Sequence, residues 1–319
     1  MTPRNPVQFG VLLALGAYVA YTCGDAVSKA IGQSGLGVFE IGLFSTLFSI
    51  LPGLFIKPAG ETWRGSFRPN HPRLMLVICV LRALGSVFAT YSFISIPLAE
   101  AYAIIFLVPV FITLLSVLFL NEKVSVGRWV LILISFAGVL VVVRPGFREL
   151  QLGHLTAVGC AITAAILTTA MRFISGSERQ TSLFLLPSIA TLFVNAVMLA
   201  GTGFAMPNTN QLLLLVFGGV LGGVGYLLQI AAITHAPASR VAPTQYSQIV
   251  WALVLSAVFF SEFPDAMGLA GLAVVVVAGI ATITSDGARA RIAGRWTQYR
   301  ARKLTTPDDA SRISGPPES

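Results

Sequence analysis

The sequence predicts an all-α membrane protein whose ten transmembrane helices form two inverted repeats of five. Hydrophobic residues make up 55% and charged residues 11% of the 319 residues, and the mean hydropathy is +0.81. A soluble domain of this length cannot bury so much apolar surface, whereas helices of roughly 20 apolar residues span a ~30 Å hydrocarbon layer. The chain also resembles itself at a spacing of 140 residues, and its positive charges collect at one set of helix ends.

Ten apolar runs have the length of a membrane-spanning helix. The runs are continuous, whereas the strands of a membrane barrel alternate apolar and polar residues in segments of about ten. The first run is too long for a removable signal peptide and lacks the small-residue cleavage pattern, so it is expected to be the first span. The predicted helices cover residues 9–31, 36–56, 74–95, 99–120, 128–144, 154–174, 181–202, 211–234, 238–260 and 266–285.

The internal repeat is clearest in the fourth and ninth runs. Four pairs match at this spacing without a gap: Pro97 with Pro237, Phe106 with Tyr246, Phe119 with Phe259, and Glu122 with Glu262. The spacing predicts one repeat over residues 9–145 and a second over 153–285, between a short N-terminus (1–8) and a tail (286–319). Because each repeat holds five spans, the second is inverted relative to the first, as in carriers that bind their substrate between two halves.

Positive charge predicts a multi-pass protein of the cell inner (plasma) membrane with both termini cytoplasmic. This orientation leaves only Arg144 and Arg148 at outer ends. Sixteen basic residues then lie inside: Arg4, Lys57, Arg64, Arg68, Arg73, Lys123, Arg128, Arg172, Arg179, Arg240, Arg289, Arg291, Arg295, Arg300, Arg302 and Lys303. The net charge of +8 therefore reflects topology, and no nucleic-acid partner is expected.

The tail is the other place where the sequence indicates a partner. Residues 286–303 are basic with interspersed aromatic side chains, which suits a segment on anionic lipid headgroups or a solvated topology determinant. Residues 305–319 are rich in Pro, Ser and Asp and are expected to be disordered. The lipid bilayer is thus an expected partner, and the formation of a homodimer is left open.

Charged side chains within the predicted spans are candidate functional residues, because each costs about 2.5–3.5 kcal/mol on insertion scales. Asp25 and Lys29 lie four residues apart on one face of the first helix. They either neutralise each other or line an outward cavity. Glu40, about one turn inside the outer end of the second helix, is either a headgroup-level carboxylate or part of the same route. Protonation of Asp25, Glu40 or Glu100 is the simplest hypothesis for coupling to a gradient.

Three further charges complete this set. Arg82 lies about eight residues inside the third helix, too deep to reach the surface easily, and is expected to face a counter-ion or a substrate in the bundle. Glu100 and Arg240 occupy equivalent positions of the two repeats, near opposite membrane faces. They are interpreted either as gate residues or as exposed charges at helix starts.

Uncharged polar groups and prolines predict a binding site near the middle of the membrane. Gln245 and Gln248 share a face of the ninth helix, and Pro109 and Pro243 remove backbone hydrogen bonds, which frees carbonyl groups for a polar ligand. The predicted substrate-binding residues are Arg82, Phe106, Gln229, Tyr246, Gln248 and Trp251.

The sequence gives little support for an enzyme, a metal site or a bound cofactor. His71, His154 and His235 lie at loops or span ends, without an HExxH, GxSxG or nucleotide-binding P-loop pattern. Cys23, Cys79 and Cys160 have unrelated spacings, which indicates packing residues and no disulfide framework. We therefore predict no catalytic residues, no metal ligands and no cofactor.

The chain resembles the ten-helix, EamA-type branch of the drug/metabolite transporter superfamily over residues 9–285. The resemblance is carried by Leu118-Phe119-Leu120-Asn121-Glu122 followed by Arg128-Trp129, by Gly138, and by Ala242-Pro243. The motifs at 24–29, Phe39-Glu40, Leu81-Arg82 and 261–265 are similar to those of S-adenosylmethionine uptake carriers. The Asp-Ala-x-x-Lys pattern at 25–29 is also similar to that of riboflavin carriers. Ser45, Gln245 and Gln248 depart from these relatives.

The resemblance and the inverted repeat together imply a secondary transporter that works by alternating access. Its partner would be a small polar metabolite, such as an amino acid, S-adenosylmethionine or a vitamin-like molecule. Import and export remain alternatives, and an amino-acid or metabolite exporter is one of them. A membrane-embedded enzyme or lipid-handling protein with the same bundle is the alternative from another class.

Overall fold

A computed structural model describes residues 6–55, 61–120, 125–144, 149–174, 177–236 and 238–282. Several features considered above lie outside the described residues: Arg4, Lys57, Asn121, Glu122, Lys123, Arg148, Pro237 and the tail 286–319. The residues that the structure describes form helices and connecting turns, without a strand. This confirms the predicted all-α fold class.

The helices are numbered α1 to α12 in chain order. Their bounds are Pro6–Gln33 (α1), Val38–Phe55 (α2), Pro72–Ser95 (α3), Leu98–Ile105 (α4), Val108–Leu120 (α5), Val126–Val143 (α6), Leu152–Ile174 (α7), Gln180–Thr202 (α8), Thr209–His235 (α9), Ala238–Val241 (α10), Ser247–Phe260 (α11) and Ala266–Thr282 (α12). A 3₁₀ turn, Ala242–Tyr246, joins α10 to α11, and another covers Trp63–Phe67.

Each predicted apolar run coincides with helical structure, within a few residues at the ends. The fourth run contains two helices, α4 and α5, and the ninth contains α10, the 3₁₀ turn and α11. Six helices are long and apolar enough to cross a membrane by length and composition, and three shorter apolar helices accompany them among the described residues. The bundle therefore has the composition and length pattern of a multi-pass membrane protein.

Local sequence explains where several helices begin and end. Asn208 accepts a hydrogen bond from the backbone of Gln211, whose side chain accepts one from the backbone of Asn208, so a capping box starts α9. Pro72 occupies the first turn of α3, where a backbone donor is not needed. Gly203 ends α8 with a φ of 91°, a backbone conformation that favours glycine.

The packing of the helices follows the inverted repeat. The first helix of each repeat packs against the third helix of the other: α1 lies along α9, and α7 lies along α3. The second helices pack in the same reciprocal way, α2 against α9 and α8 against α3, and they also contact each other. The two repeats thus interlock across the whole bundle, and a site at its centre takes residues from both.

Glycines in α9 allow its backbone to approach α2 closely. A Cβ atom at Gly219 would lie 2.8 Å from the carbonyl oxygen of Ser45, and one at Gly223 would lie 2.5 Å from that of Ser49. Their spacing of four residues puts both on one helical face, as the small-residue motif predicts for close contact between membrane helices.

Candidate functional site

The fourth and ninth runs are interrupted at equivalent positions, and the two interruptions face each other. Phe106 and Leu107 separate α4 from α5, and the 3₁₀ turn that precedes α11 ends at Tyr246, which is 140 residues after Phe106. Pro109 has no backbone N–H to donate to the carbonyl of Ile105, and Pro243 has the same effect in the 3₁₀ turn. The ring centroids of Phe106 and Tyr246 are 5.0 Å apart.

Aromatic rings extend from this contact toward α3. Tyr102 lies one turn before Phe106 on α4, and their ring centroids are 5.8 Å apart. On its other side, Tyr102 contacts Phe93 at 5.4 Å. Phe93, Tyr102, Phe106 and Tyr246 are all buried. They form a continuous row of rings, which we call the aromatic row, between the two repeats.

Asp25 lies beside the aromatic row. The Tyr102 hydroxyl donates a hydrogen bond to Asp25 Oδ2, and Gln248 Nε2 donates one to Tyr102 Oη at 3.3 Å. Three helices, α1, α4 and α11, therefore meet through side-chain polar groups at the level of the interruptions. As a residue, Asp25 is only partly buried.

Arg82 lies on the face of α3 that points into the bundle, although the residue is exposed. With 100° per residue, Arg82 lies about 40° from the buried Ile78 around α3 and about 160° from Val80 and Leu84, which are exposed. It also lies within electrostatic range of Tyr21 on α1. Its exposure is therefore to an internal space, about 15 Å along the axis from the start of α3.

The remaining predicted binding residues lie in different surroundings. Gln229 Oε1 on α9 accepts a hydrogen bond from Tyr21 Oη at 2.8 Å, so it borders the same internal space as Arg82. Trp251 is 39% exposed, on the same face of α11 as the exposed Val254 and Val258. This face is opposite the one that bears the buried Ile249.

Mutual neutralisation of Asp25 and Lys29 was one of the two alternatives that their spacing predicted. In the structure, Lys29 does not pair with Asp25. Its side chain is 2% exposed, and Nζ lies 2.9 Å from Glu262 Oε1. Nζ also donates a hydrogen bond of 2.8 Å to the carbonyl of Ile96 and lies 5.3 Å from the centre of the Phe260 ring. We call Lys29, Ile96, Phe260 and Glu262 the outer seal, since all four lie at the end of the bundle that the charge pattern predicts to be the outer end.

The other predicted gate residues differ in burial. Glu40 is buried and accepts a hydrogen bond from the backbone of Ala205 at 3.2 Å. Glu100 is buried beside His154, whose Nε2 lies 3.0 Å from Glu100 Oε1. Arg240 on α10 is exposed. Glu100 also borders two outer clefts of about 240 and 260 Å³.

The two ends of the bundle are packed differently. At the outer end α4 lies against α11, whereas within the described residues α5 and α10 share no such interface at the inner end. Both ends do carry a set of loop contacts. Glu40–Ala205 and Ser34–Gln211 form the outer clamp, and Glu61–Thr181 and Arg179–Gly65 form the inner clamp.

Sequence reasoning missed Tyr102, which joins Asp25 to Gln248. Its position one turn before Phe106, on the same helical face, was the available signal. It also missed that His154 pairs with Glu100, because the two residues are 54 positions apart. Among the described residues, no group of three or more His, Cys, Asp or Glu side chains is placed to hold a metal ion.

Comparisons with known proteins agree with this architecture. The sequence model of the EamA-like transporter family matches twice, over residues 8–144 and 151–285. The chain is 27% identical to an S-adenosylmethionine uptake transporter of Rickettsia bellii, over 88% of this chain and 94% of that protein. It is 31% identical to a pseudopaline exporter of Pseudomonas aeruginosa, over 86% and 96%. A solved structure that is 19% identical shares the fold with a TM-score of 0.62, over 89% of this chain and 99% of that chain.

Proposed function

Because the chain belongs to the EamA-like transporter family, we propose that it is a secondary carrier that moves a small polar metabolite by alternating access. The observation that carries this proposal is the pair of interrupted helices, which face each other at repeat-equivalent positions. Interrupted helices at the interface of inverted repeats typically form carrier binding sites near the middle of the membrane. The site comprises Asp25, Tyr102, Phe106, Tyr246 and Gln248, with Arg82 and Gln229 on the inner side.

The described conformation corresponds to the inward-facing state of this cycle. The outer seal and the contact of α4 with α11 close the route from outside, whereas among the described residues α5 and α10 form no comparable interface at the inner end. This assignment uses the orientation that positive charge predicts, with both termini in the cytoplasm and the protein in the inner membrane. Exchange of the two packings would open the outer end and close the inner one.

The structure also bears on which acidic residue couples transport to a gradient. Glu40 is occupied by the outer clamp and Glu100 by His154. Asp25 is in the binding site itself, and its observed partner is the hydroxyl of Tyr102. We therefore propose Asp25 as the group whose proton is exchanged if transport is proton-coupled. A proton gradient that leaves the rate of uptake unchanged would contradict this part.

The substrate is taken from the classes that the relatives and the site suggest. One relative is named for S-adenosylmethionine and another for pseudopaline. Amino acids carry an amino group and a carboxylate, as S-adenosylmethionine does. We propose a metabolite of this size and polarity, with import and export as the two directions to be distinguished.

The test is counterflow into proteoliposomes that contain the purified protein. The panel is S-adenosylmethionine, the common amino acids and riboflavin. We expect saturable uptake of at least one compound, recovered chemically unchanged. In Tyr102→Phe, which loses the hydrogen bond to Asp25, we expect uptake to fall about tenfold or more. Tyr91→Phe on α3 is the matched control and should retain wild-type uptake. Absence of uptake for every compound, or recovery of an altered product, would refute the carrier.

A further inference from the structure

We infer that the central site binds a molecule carrying both a cationic and an anionic group, the cation at Asp25 and the anion at Arg82. This inference rests on the proposed function and names the class of its substrate. It is carried by the positions of these two residues, which project into one internal space from α1 and α3.

Asp25 offers a carboxylate that lacks a cationic protein partner. Its hydrogen bond comes from Tyr102, a neutral donor. Lys29, one turn away on the same helix, is held by Glu262 and the carbonyl of Ile96. A partly buried carboxylate with only neutral partners is strongly stabilised by a cation. The amino or sulfonium group of a ligand supplies one.

Arg82 offers the opposite charge. Among the residues that the structure describes, its guanidinium makes neither a hydrogen bond nor an ion pair. It nevertheless lies on the inward face of α3, where a free guanidinium is costly unless water or a ligand contacts it. A guanidinium forms two parallel hydrogen bonds with a carboxylate or a phosphate, so an anionic ligand group fits it well.

The two charges border the same space without contacting each other. Both lie within electrostatic range of Tyr21 on α1 and of Cys160 on α7. Nevertheless, no salt bridge joins them in the described part of the chain. A single small molecule with two opposite charges can therefore contact both residues at once. α-Amino acids and their derivatives have this charge arrangement, whereas a neutral ring compound does not.

The first experiment compares classes within the counterflow panel. We expect uptake of compounds with both charges, such as S-adenosylmethionine or an amino acid, and little uptake of riboflavin. If riboflavin is transported and no compound with both a cationic and an anionic group is, this inference is wrong but the proposed carrier function is supported. Failure of every compound would instead refute the proposed function.

The second experiment assigns each charge of the transported compound to its residue. Blocking the carboxylate as a methyl ester, or the amine as an acetamide, should each lower uptake by wild type about tenfold or more. Arg82→Gln lacks the partner of the carboxylate, so this variant should take up the ester and the free acid equally. Asp25→Asn lacks the partner of the amine, so it should take up the acetamide and the free amine equally. Equal losses from both blocking groups in both variants would overturn the assignment.

Two controls separate binding from folding in this experiment. Arg82→Lys keeps the charge and should recover part of the uptake that Arg82→Gln loses, together with its discrimination against the ester. Arg73→Gln removes an exposed charge from the inner end of the same helix and should behave as wild type. Monodisperse elution of each variant in size-exclusion chromatography confirms that it is folded. A loss in Arg73→Gln equal to that in Arg82→Gln would also count against the inference.

Discussion

The outer and inner ends of this bundle have similar clamps but different seals. At both ends a carboxylate contact joins a loop of one repeat to the first turn of a helix of the other: Glu40 on α2 accepts from Ala205 outside, and Glu61 accepts from Thr181 on α8 inside. In contrast, the α4–α11 contact and the Lys29–Glu262 pair belong to the outer end alone among the described residues. In the proposed cycle we expect the clamps to hold the repeats together in both states and the seal to determine which end is closed.

The repeat itself explains part of this difference. Glu100 of the fourth run is buried with His154, whereas its equivalent, Arg240 of the ninth run, is exposed. Inverted repeats exchange conformations easily only if the two packings have similar free energies. Charged pairs present at one end only therefore bias the protein toward the state in which that end is closed.

The largest effect is expected from breaking the outer seal. Glu262→Gln leaves the buried Lys29 ammonium without its ion-pair partner. A lost partner costs about 3 kcal/mol here, the low end of the range for buried pairs because Glu262 is partly exposed. The outward-open population should rise about a hundredfold. The measurement is maleimide labelling of the purified Ser256→Cys variant, with all three native cysteines replaced, because Ser256 is buried at the outer end.

A double variant separates the seal from general destabilisation. Lys29→Met together with Glu262→Gln removes both charges, so no buried charge is left unpaired and thermal stability should return toward that of wild type. Labelling should stay high, because the pair is still absent. Unchanged labelling in Glu262→Gln would contradict the seal. Glu149→Gln, which changes an exposed carboxylate near the same end, is the matched control.

A smaller effect is expected from another contact of a carboxylate at the outer end. Glu100→Gln weakens the contact with His154 Nε2, which is 3.0 Å away. Hydrogen bonds to charged groups contribute about 1.5–3 kcal/mol, and an amide oxygen retains part of this. Labelling of Ser256→Cys should therefore rise by roughly tenfold or less. An increase equal to that of Glu262→Gln would make this pair an equal member of the seal.

The smallest effects are expected at the clamps. Glu61 accepts hydrogen bonds from the backbone of Gln180 and Thr181 at the start of α8, and thus acts as a cap from another loop. Glu61→Gln should lower the free energy of unfolding by about 1 kcal/mol, because Glu61 is partly exposed and the amide oxygen can still accept a hydrogen bond. It should leave labelling of Ser256→Cys unchanged. A labelling change comparable to that of the seal variants would erase the distinction between clamps and seal.

The inner clamp should also depend on pH. Burial by itself would raise the pKa of Glu61, but hydrogen bonds from Thr181 and Gln180 outweigh it and lower the pKa. A lowered folded-state pKa means that this stabilisation is present above the ordinary carboxyl pKa of about 4.3 and is lost as pH falls through the folded value. The difference in thermal stability between wild type and the Glu61→Gln variant should therefore shrink as the pH is lowered. A difference that grows at low pH would contradict this role.

Much of the fold followed from sequence because its signals are local or periodic. Apolar runs predicted the helices within a few residues, and the 140-residue repeat predicted two inverted halves. The reciprocal packing of α1 with α9 and of α7 with α3 came from the structure. Pro109 and Pro243 indicated where backbone bonds are missing. The partners of the charged residues did not follow. For Lys29 the sequence suggested either a pair with Asp25 or a position in an outward cavity. In the structure its partners are Glu262 and the carbonyl of Ile96.

Sequence alone determined that this chain is an apolar bundle of two inverted repeats, because hydrophobic length and internal similarity survive without knowledge of contacts. It also supplied the charges that a membrane helix does not carry without cause, such as Asp25 and Arg82. Only the tertiary structure decided that Asp25 meets Tyr102 and that Lys29 meets Glu262, 233 positions away. Such pairs depend on which helix faces touch, and hydrophobic length and internal similarity do not specify this.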